Sequence, residues 1–306
     1  MKKLLFTTST YAYMTPRFLA AADYEEGEIE RKTFPDGERY LRIATDPWAR
    51  DVVLLGGTPN DLDWLEIYDL GCAISRAGAR SLSLVMPYFG YATMERAVKP
   101  GEVVTARTRA RLVSSIPPCE AGSRVFLFDL HTDGIEFYFG DGHVTHHLYG
   151  APIITSLIRK VMGDRKFVLG ATDAGRAKWV QSLARNLDVE PAFVYKKRDP
   201  ETGTIALTGI NADVRGQEVV VYDDMIRTGS SLLQAGRAYK DAGASRVHAV
   251  ASHLVLPGES LDKLLGAGVF ETLSGTDSHP GSRQIEARGQ HVAPVAELMV
   301  RALARS

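Results

Sequence analysis

Cysteine is nearly absent: Cys72 and Cys119 are the only two in 306 residues. Two thiols make neither a disulfide framework nor a zinc set, so both are read as packing residues in a reducing compartment, the cytoplasm. Net charge is missing too. With 36 Lys and Arg against 37 Asp and Glu the formal balance is −1, which argues against a whole-chain basic field and a nucleic-acid partner. No apolar run is long enough to cross a bilayer, so no membrane segment is expected. Met1 to Phe6 has the faint outline of a signal-peptide start, but residues 7–10 break the apolar run, and Leu4 to Phe6 is read as a first strand. What the chain does have is a 45% hydrophobic fraction and 28 glycines, the composition of a globular α/β protein with tight turns.

The most informative stretch runs from Val219 to Ser231. Val219 to Tyr222 is a short apolar, β-rich run, as a strand buried on both faces should be. Asp223 and Asp224 fall where such a strand is expected to end. Thr228, Gly229, Ser230 and Ser231 lack bulk, so their backbone N–H groups can close around an anion at the start of the following helix. Two carboxylates beside a phosphate cradle suggest a sugar phosphate, with the acids on ribose hydroxyls or in a magnesium shell. An ordinary strand–turn–helix is the plainer alternative.

In order along the chain, residues 3–8 predict a strand and residues 31–43 a hairpin turning at Pro35-Asp36-Gly37. Residues 51–55 predict a second strand. Asn60 or Asp61 can cap a helix carrying Leu62, Leu65, Ile67, Leu70 and Ile74, ended by Gly78. A strand at 81–86, a long loop with Glu95, Arg96 and Lys99, a helix at 104–115 and a strand at 125–130 complete a β-α-β-α-β rhythm, hence a parallel sheet with helices on both faces. Near residue 150 the pattern restarts: helix 153–162, strand 167–170, a loop at 172–176, helix 178–186 and strand 191–195. Residues 196–203, charged and rich in turn formers, read as a mobile loop. A helix to Ala242, a strand at 246–252, a strand-end turn at 275–278 and a closing helix at 292–304 follow. Two related α/β domains are therefore expected, 1–149 and 150–306.

Ligands in such sheets sit at the carboxyl ends of the strands. Asp129, His131, Asp173, Asp223 and Asp224 all occupy predicted strand ends, which suggests one shared polyanion site. If the strand persists through Asp129-Leu130-His131, the two flanking residues share a side, and one can contact a divalent metal; a lone His also serves structural hydrogen bonds. Lys196 and Arg198 alternate and could together neutralise a transferring phosphoryl group, or else form a solvated basic turn.

These segments together resemble the ribose-phosphate diphosphokinases, or phosphoribosyl pyrophosphate synthetases, over nearly the whole chain. Phe34-Pro35-Asp36-Gly37-Glu38 with Arg42-Ile43 is similar to the family's nucleotide-binding hairpin, and Pro87-Tyr88-Phe89-Gly90-Tyr91-Ala92 to the run before its adenine loop. Asp129-Leu130-His131 and Asp173-Ala174-Gly175 with Lys178 resemble its metal segments, Tyr195-Lys196-Lys197-Arg198 its catalytic loop, and Asp223-Asp224-Met225-Ile226 with Thr228 its phosphoribosyl signature. The resemblance implies two tandem phosphoribosyltransferase-like domains, each a mainly parallel sheet flanked by helices, and transfer of diphosphate from ATP to O1 of ribose 5-phosphate with Mg2+. It implies that Phe34, Asp36, Gly37, Glu38, Thr93, Met94 and Arg96 meet the nucleotide, partly across a subunit boundary in a homo-oligomer. His131 and Asp173 would serve the metal, and Lys196 and Arg198 the transition state. Asp223 and Asp224 would hold the ribose, with Arg198 also near the sugar phosphate, and Arg227, Thr228, Gly229, Ser230 and Ser231 the 5-phosphate.

Five positions depart from the family pattern. Thr93-Met94 replace a usual Arg-Gln, and losing a charged hydrogen bond costs about 1.5–3 kcal/mol if nothing replaces it; Arg96 could compensate. Arg227 stands for a usual Asp, Ser230 for Gly, and Arg176 for Gly. The two added cations raise the alternative of a more anionic sugar such as ADP-ribose. A non-catalytic regulatory homologue is a further alternative, and a phosphoribosyltransferase that consumes the activated sugar is a third.

Overall fold

The computed structural model describes residues 2–172, 177–198 and 205–305, without the side chains of 195–198 and 205–208. The chain divides into two compact units, 1–149 with 295–306, and 150–294. Among the described residues no helix is long and apolar enough to cross a membrane.

In the first unit, β1 (Lys3–Thr7) leads through a 3-10 turn into α1 (Thr15–Ala21) and β2 (Tyr24–Glu26). A separate antiparallel hairpin follows, β3 (Ile29–Thr33) with β4 (Arg39–Ile43). Then come β5 (Asp51–Leu55), α2 (Asp61–Arg76), β6 (Ser81–Met86), α3 (Thr105–Ser114), β7 (Ser123–Phe128) and β8 (His143–Leu148). The six-stranded sheet has the order β2-β1-β5-β6-β7-β8, and every pair is parallel. Side chains alternate across it. Leu4, Val52, Leu84 and Val125 join a core with Trp64, Ile67 and Leu70 of α2 and Ala106 and Val113 of α3, while Leu5, Val53, Val85 and Phe126 are buried on the opposite face. Asn60 caps α2 by accepting from the Leu62 and Asp63 amides at 3.0 and 3.2 Å.

The second unit contains α4 (Ala151–Met162), β9 (Phe167–Ala171), α5 (Ala177–Leu187), β10 (Pro191–Arg198), β11 (Ile205–Ile210) and β12 (Glu218–Ile226). These are followed by α6 (Ser230–Asp241), β13 (Arg246–Leu254), α7 (Ser260–Gly266), β14 (Thr272–Thr276), α8 (Ser282–Ala287) and β15 (Val292–Ala293). Its seven-stranded sheet runs β11-β10-β9-β12-β13-β14-β15, parallel except for β10 with β11. One face packs Val219 and Val221 against Leu232, Ala235 and Tyr239 of α6; the other packs Val220 and Tyr222 against Ile154, Ile158, Val180 and Leu183 of α4 and α5.

Three expectations change. Residues 196–198 are not loop: β10 reaches Arg198 and pairs Lys196 with Leu207, Lys197 with Ala206 and Arg198 with Ile205. Beyond Phe193 the β9 ladder has ended, so among the described residues this basic run forms one arm of a two-stranded ribbon with β11. The expected closing helix begins late, since Val292 and Ala293 add a last strand before α9 (Ala296–Leu303). That helix also belongs with the first unit rather than the second: it lies against α1, and the Lys3 ammonium donates to the Leu303 carbonyl at 3.0 Å.

Tyr239 pins α6 to the sheet. Its ring is fully buried, and its hydroxyl lies 3.1 Å from the Ala171 carbonyl and 3.0 Å from that of Ala192. Gly170 makes room, since a Cβ there would come within 2.9 Å of the ring. Tyr239→Phe is expected to lower unfolding stability by about 1–2 kcal/mol, because buried carbonyls lose a donor and gain nothing; urea denaturation of the two proteins measures it.

Candidate functional site

The second unit has a strand–turn–helix corner at the carboxyl end of β12. That strand is longer than expected, running through both acids to Ile226. Its two ladders are unequal, however. Pairing with β9 stops at Tyr222 opposite Ala171, whereas pairing with β13 continues to Ile226 opposite Leu254. Asp223 and Asp224 therefore sit where one neighbour has ended. Asp223 is half-buried, and its Oδ2 accepts from the Thr172 hydroxyl at 3.1 Å while its Oδ1 accepts from the Asp224 amide at 2.9 Å. Asp224 is only 4% exposed. Tyr222, just before them, stacks on Trp179 at 4.0 Å between centroids and meets the Ser252 hydroxyl at 2.9 Å.

The turn that follows is held by one residue type. Gly229 caps α6 in the left-handed region, with φ 76 and ψ 3. A Cβ there would lie 2.6 Å from the Leu264 side chain, so glycine is required both by conformation and by space. Around it Arg227, Thr228, Ser230 and Ser231 are exposed, and the Thr228 and Ser230 hydroxyls lie 3.2 Å apart. Small exposed residues at the N-terminus of a 12-residue helix present N–H groups and a positive dipole end to an anion. Behind this edge lies a buried polar layer: His253 Nδ1 is 2.8 Å from the Ser278 hydroxyl, and the Thr276 hydroxyl donates to the Ser252 carbonyl at 2.6 Å. Burial, reinforced by His253, pushes His279 down to about 3, so that ring is neutral. The expected turn at residues 275–278 is the exit of β14 into this layer.

Lys196 and Arg198 have their backbones in β10; their side chains lie outside the described residues, as do Asp173 and Arg176 entirely.

In the first unit the hairpin tip is open. The Phe34 amide donates to the Glu38 carbonyl at 2.8 Å, the Glu38 amide to Asp36 Oδ1 at 3.0 Å, and Gly37 turns the chain at φ 94. Phe34 is 47% exposed and packs edge-on to Tyr40, while Asp36, Gly37 and Glu38 are exposed. Thr93, Met94 and Arg96 lie in the loop after β6 and are exposed. The sequence reading missed a cation beside that loop. Arg109 of α3 lies 5.2 Å from the Tyr91 ring centroid and bonds Asp61 at 2.7 Å, and the Tyr91 hydroxyl donates to the same carboxylate at 2.8 Å. Nothing in the local spacing of Asp61, Tyr91 and Arg109 signals the contact, because they come from three separate segments.

The Asp129-Leu130-His131 expectation needs correction. Strand β7 ends at Phe128, and Asp129 is left-handed at φ 44, so Asp129 and His131 do not share a strand face. The Asp129 amide donates to the Leu148 carbonyl and the Leu130 amide to His147 Nε2, both at 2.9 Å. His147 therefore carries its proton on Nδ1, 3.3 Å from Asp133 Oδ1, and burial holds its pKa down. His131 is half-buried on the bend so formed. His131 and the Asp223–Ser231 corner belong to different units. Among the described residues no group of three His, Cys, Asp or Glu side chains is placed to hold a metal ion.

Two parallel-sheet units, one with a strand–acid-pair–small-residue-loop–helix corner, define a phosphoribosyltransferase-type α/β protein. The model for the N-terminal domain of ribose phosphate pyrophosphokinase matches residues 4–116, and that for the phosphoribosyl transferase domain matches residues 146–264. A ribose-phosphate pyrophosphokinase of Hyphomonas neptunium is 31% identical over 292 residues, covering 94% of this chain and 91% of the relative. One from Synechococcus elongatus is 30% identical over 280 residues, 90% and 82% of the two chains. The crystal structure of phosphoribosylpyrophosphate synthetase from Mycobacterium smegmatis superposes with a TM-score of 0.85 at 25% identity, over 99% of this chain and 98% of that one. The chain belongs to the ribose-phosphate pyrophosphokinase family.

Substitution at Gly229 checks the corner's geometry. Gly229→Ala is expected to cost at least about 1–2 kcal/mol of stability, from left-handed strain alone, whereas Ser231→Ala on the exposed first turn is expected to change stability by less than about 0.5 kcal/mol. Denaturant titration compares them.

Proposed function

We propose that this protein is a ribose-phosphate diphosphokinase, converting ATP and ribose 5-phosphate into phosphoribosyl pyrophosphate and AMP. The observation that carries the proposal is the union, in one chain, of the pyrophosphokinase N-terminal domain with the phosphoribosyl transferase domain, matched over 94% of its length by a relative of that name. In the reaction O1 of the sugar attacks the β-phosphorus of ATP, the bond from that phosphorus to the α–β bridging oxygen breaks, AMP departs with the electron pair, and the O1 proton is lost.

Little covalent work falls to the protein; positioning and charge neutralisation dominate such a transfer. The 5-phosphate is assigned to the N-terminus of α6, on the N–H groups and hydroxyls of Thr228 to Ser231 with Arg227 alongside. Asp223, oriented by Thr172, and Asp224 take the ribose hydroxyls. Phe34, Asp36, Gly37 and Glu38 with Thr93, Met94 and Arg96 take the nucleotide. Lys196 and Arg198 carry the charge that develops on the transferring group. Mg2+, when bound, would neutralise the nucleotide phosphates, and His131 and Asp173 are the residues assigned to serve it. An open hairpin tip fits a nucleotide site completed by a second copy, hence a homo-oligomer, and two free cysteines fit a cytoplasmic protein.

A regulatory homologue, and a more anionic sugar such as ADP-ribose, are not favoured, because relatives matching at least 90% of the chain carry the pyrophosphokinase name. A phosphoribosyltransferase that consumes the activated sugar has no need of the first unit. In assays with ATP and Mg2+, sugar-dependent AMP release is expected with ribose 5-phosphate and at least ten-fold less with ADP-ribose; equal or inverted turnover overturns the substrate assignment. Lys196→Ala and Arg198→Ala are each expected to lower kcat by roughly 100-fold or more with small changes in KM, read from steady-state AMP formation.

A further inference from the structure

The hairpin β3–β4 is a two-stranded sheet of its own, and such a hairpin is marginal in water without something to dock on. Part of the dock is apolar: Ile29, Leu41 and Ile43 pack against the core of the first unit. The polar part centres on one buried carboxylate. Glu66, on α2, is 1% exposed. Its Oε1 accepts from Arg31 Nε at 3.0 Å, from the Ser9 amide at 3.0 Å and from the Ser9 hydroxyl at 2.8 Å; its Oε2 accepts from Arg39 Nη2 at 3.0 Å.

The two arginines come from opposite strands. Register puts Arg31 across from Leu41 and Arg39 across from Thr33, so both share the face that carries Ile29, Leu41 and Ile43. Each is also tied to backbone: Arg31 Nη2 donates to the Thr7 carbonyl at 2.6 Å, and Arg39 Nη1 to the Leu62 carbonyl at 3.2 Å. Glu66 thus joins α2, the exit of β1 and both hairpin strands. Burial by itself would push its carboxyl upward, yet the Ser9 and Arg31 hydrogen bonds outweigh this and hold it below the usual range. A charge kept ionised in such a place is costly to bury unless fully satisfied, and here it is satisfied by the very strands it must hold. Arg39 directly follows Glu38, and Thr33 directly precedes Phe34, so the Thr33–Arg39 pair is the base from which the open tip projects.

We propose that Glu66 is a positioning residue for the nucleotide: it sets the angle at which β3–β4 leaves the first unit, and so where Phe34, Asp36 and Glu38 are presented. This rests on the reading of the hairpin tip as nucleotide-binding. The residue touches no substrate; it acts through Arg31 and Arg39.

The test uses the full-length protein with Glu66→Ala, Glu66→Gln and Arg39→Gln, beside Phe34→Ala and Glu38→Ala at the tip. Glu66→Ala is expected to raise KM for ATP at least ten-fold, with KM for ribose 5-phosphate within two-fold of the parent. Glu66→Gln and Arg39→Gln, which keep part of the hydrogen bonding, fall between and serve if Glu66→Ala does not fold. Amides of Ile29–Thr33 and Arg39–Ile43 are expected to exchange at least ten-fold faster in the Glu66 variants, with β5 and β6 unchanged. An unchanged KM for ATP in the Glu66 variants, while Phe34→Ala raises it, overturns the anchor and leaves the tip reading standing. Faster exchange throughout the first unit overturns it as well, by making Glu66 a general stability residue. If the tip variants leave KM for ATP untouched, the tip reading falls and the proposed nucleotide role of Glu66 falls with it.

Discussion

The unequal ladders on β12 are the constraint on which the second unit turns. A parallel strand in mid-sheet normally has both edges occupied, and its backbone groups have no other partners. Here β9 stops at Tyr222 while β13 continues four residues further. From Asp223 to Ile226 the strand is therefore held straight by its β13 ladder. That asymmetry places two acids in a regular strand just past the point where one neighbour's ladder ends. It also fixes where the chain can next bend, at Gly229, with Leu264 filling the space a side chain would need.

The polar groups around both sites are not decoration on an apolar fold; they set its finer geometry. Tyr222 is locked between Trp179 and Ser252, Thr172 holds Asp223, and Tyr239 ties α6 to the carbonyls of β9 and β10. In the first unit His147 receives the Leu130 amide and Glu66 receives two guanidinium groups. Apolar contact is tolerant of small shifts. Hydrogen bonds of 2.6–3.2 Å at buried groups are not, since a partner moved away leaves a polar atom unsolvated.

Much of this was legible in order along the chain. The Val219–Tyr222 run, the Asn60 cap, the Pro35-Asp36-Gly37 turn and the strand–helix rhythm are local signals, each set by side-chain periodicity or by one residue's backbone preference. The misreadings share a cause. Residues 196–198 look like loop because charge and neighbouring turn formers argue for solvent, yet β11 arrives from later in the chain to pair with them. Asp129-Leu130-His131 looks like strand because β7 is strongly apolar, yet the left-handed Asp129 turns it toward β8. The last helix joins the first unit because its partners, α1 and Lys3, are nearly 300 residues upstream.

By itself the sequence determined the α/β class, the two-part plan and the strand–acid-pair–small-residue-loop–helix order, since these depend on hydrophobic period and turn chemistry. Tertiary structure alone decided how long β12 runs, which way His131 is turned and what holds the hairpin. Those outcomes hinge on partners remote in sequence, such as β13, His147 and Glu66. A contact between distant segments leaves no periodicity in either one for a reader to find.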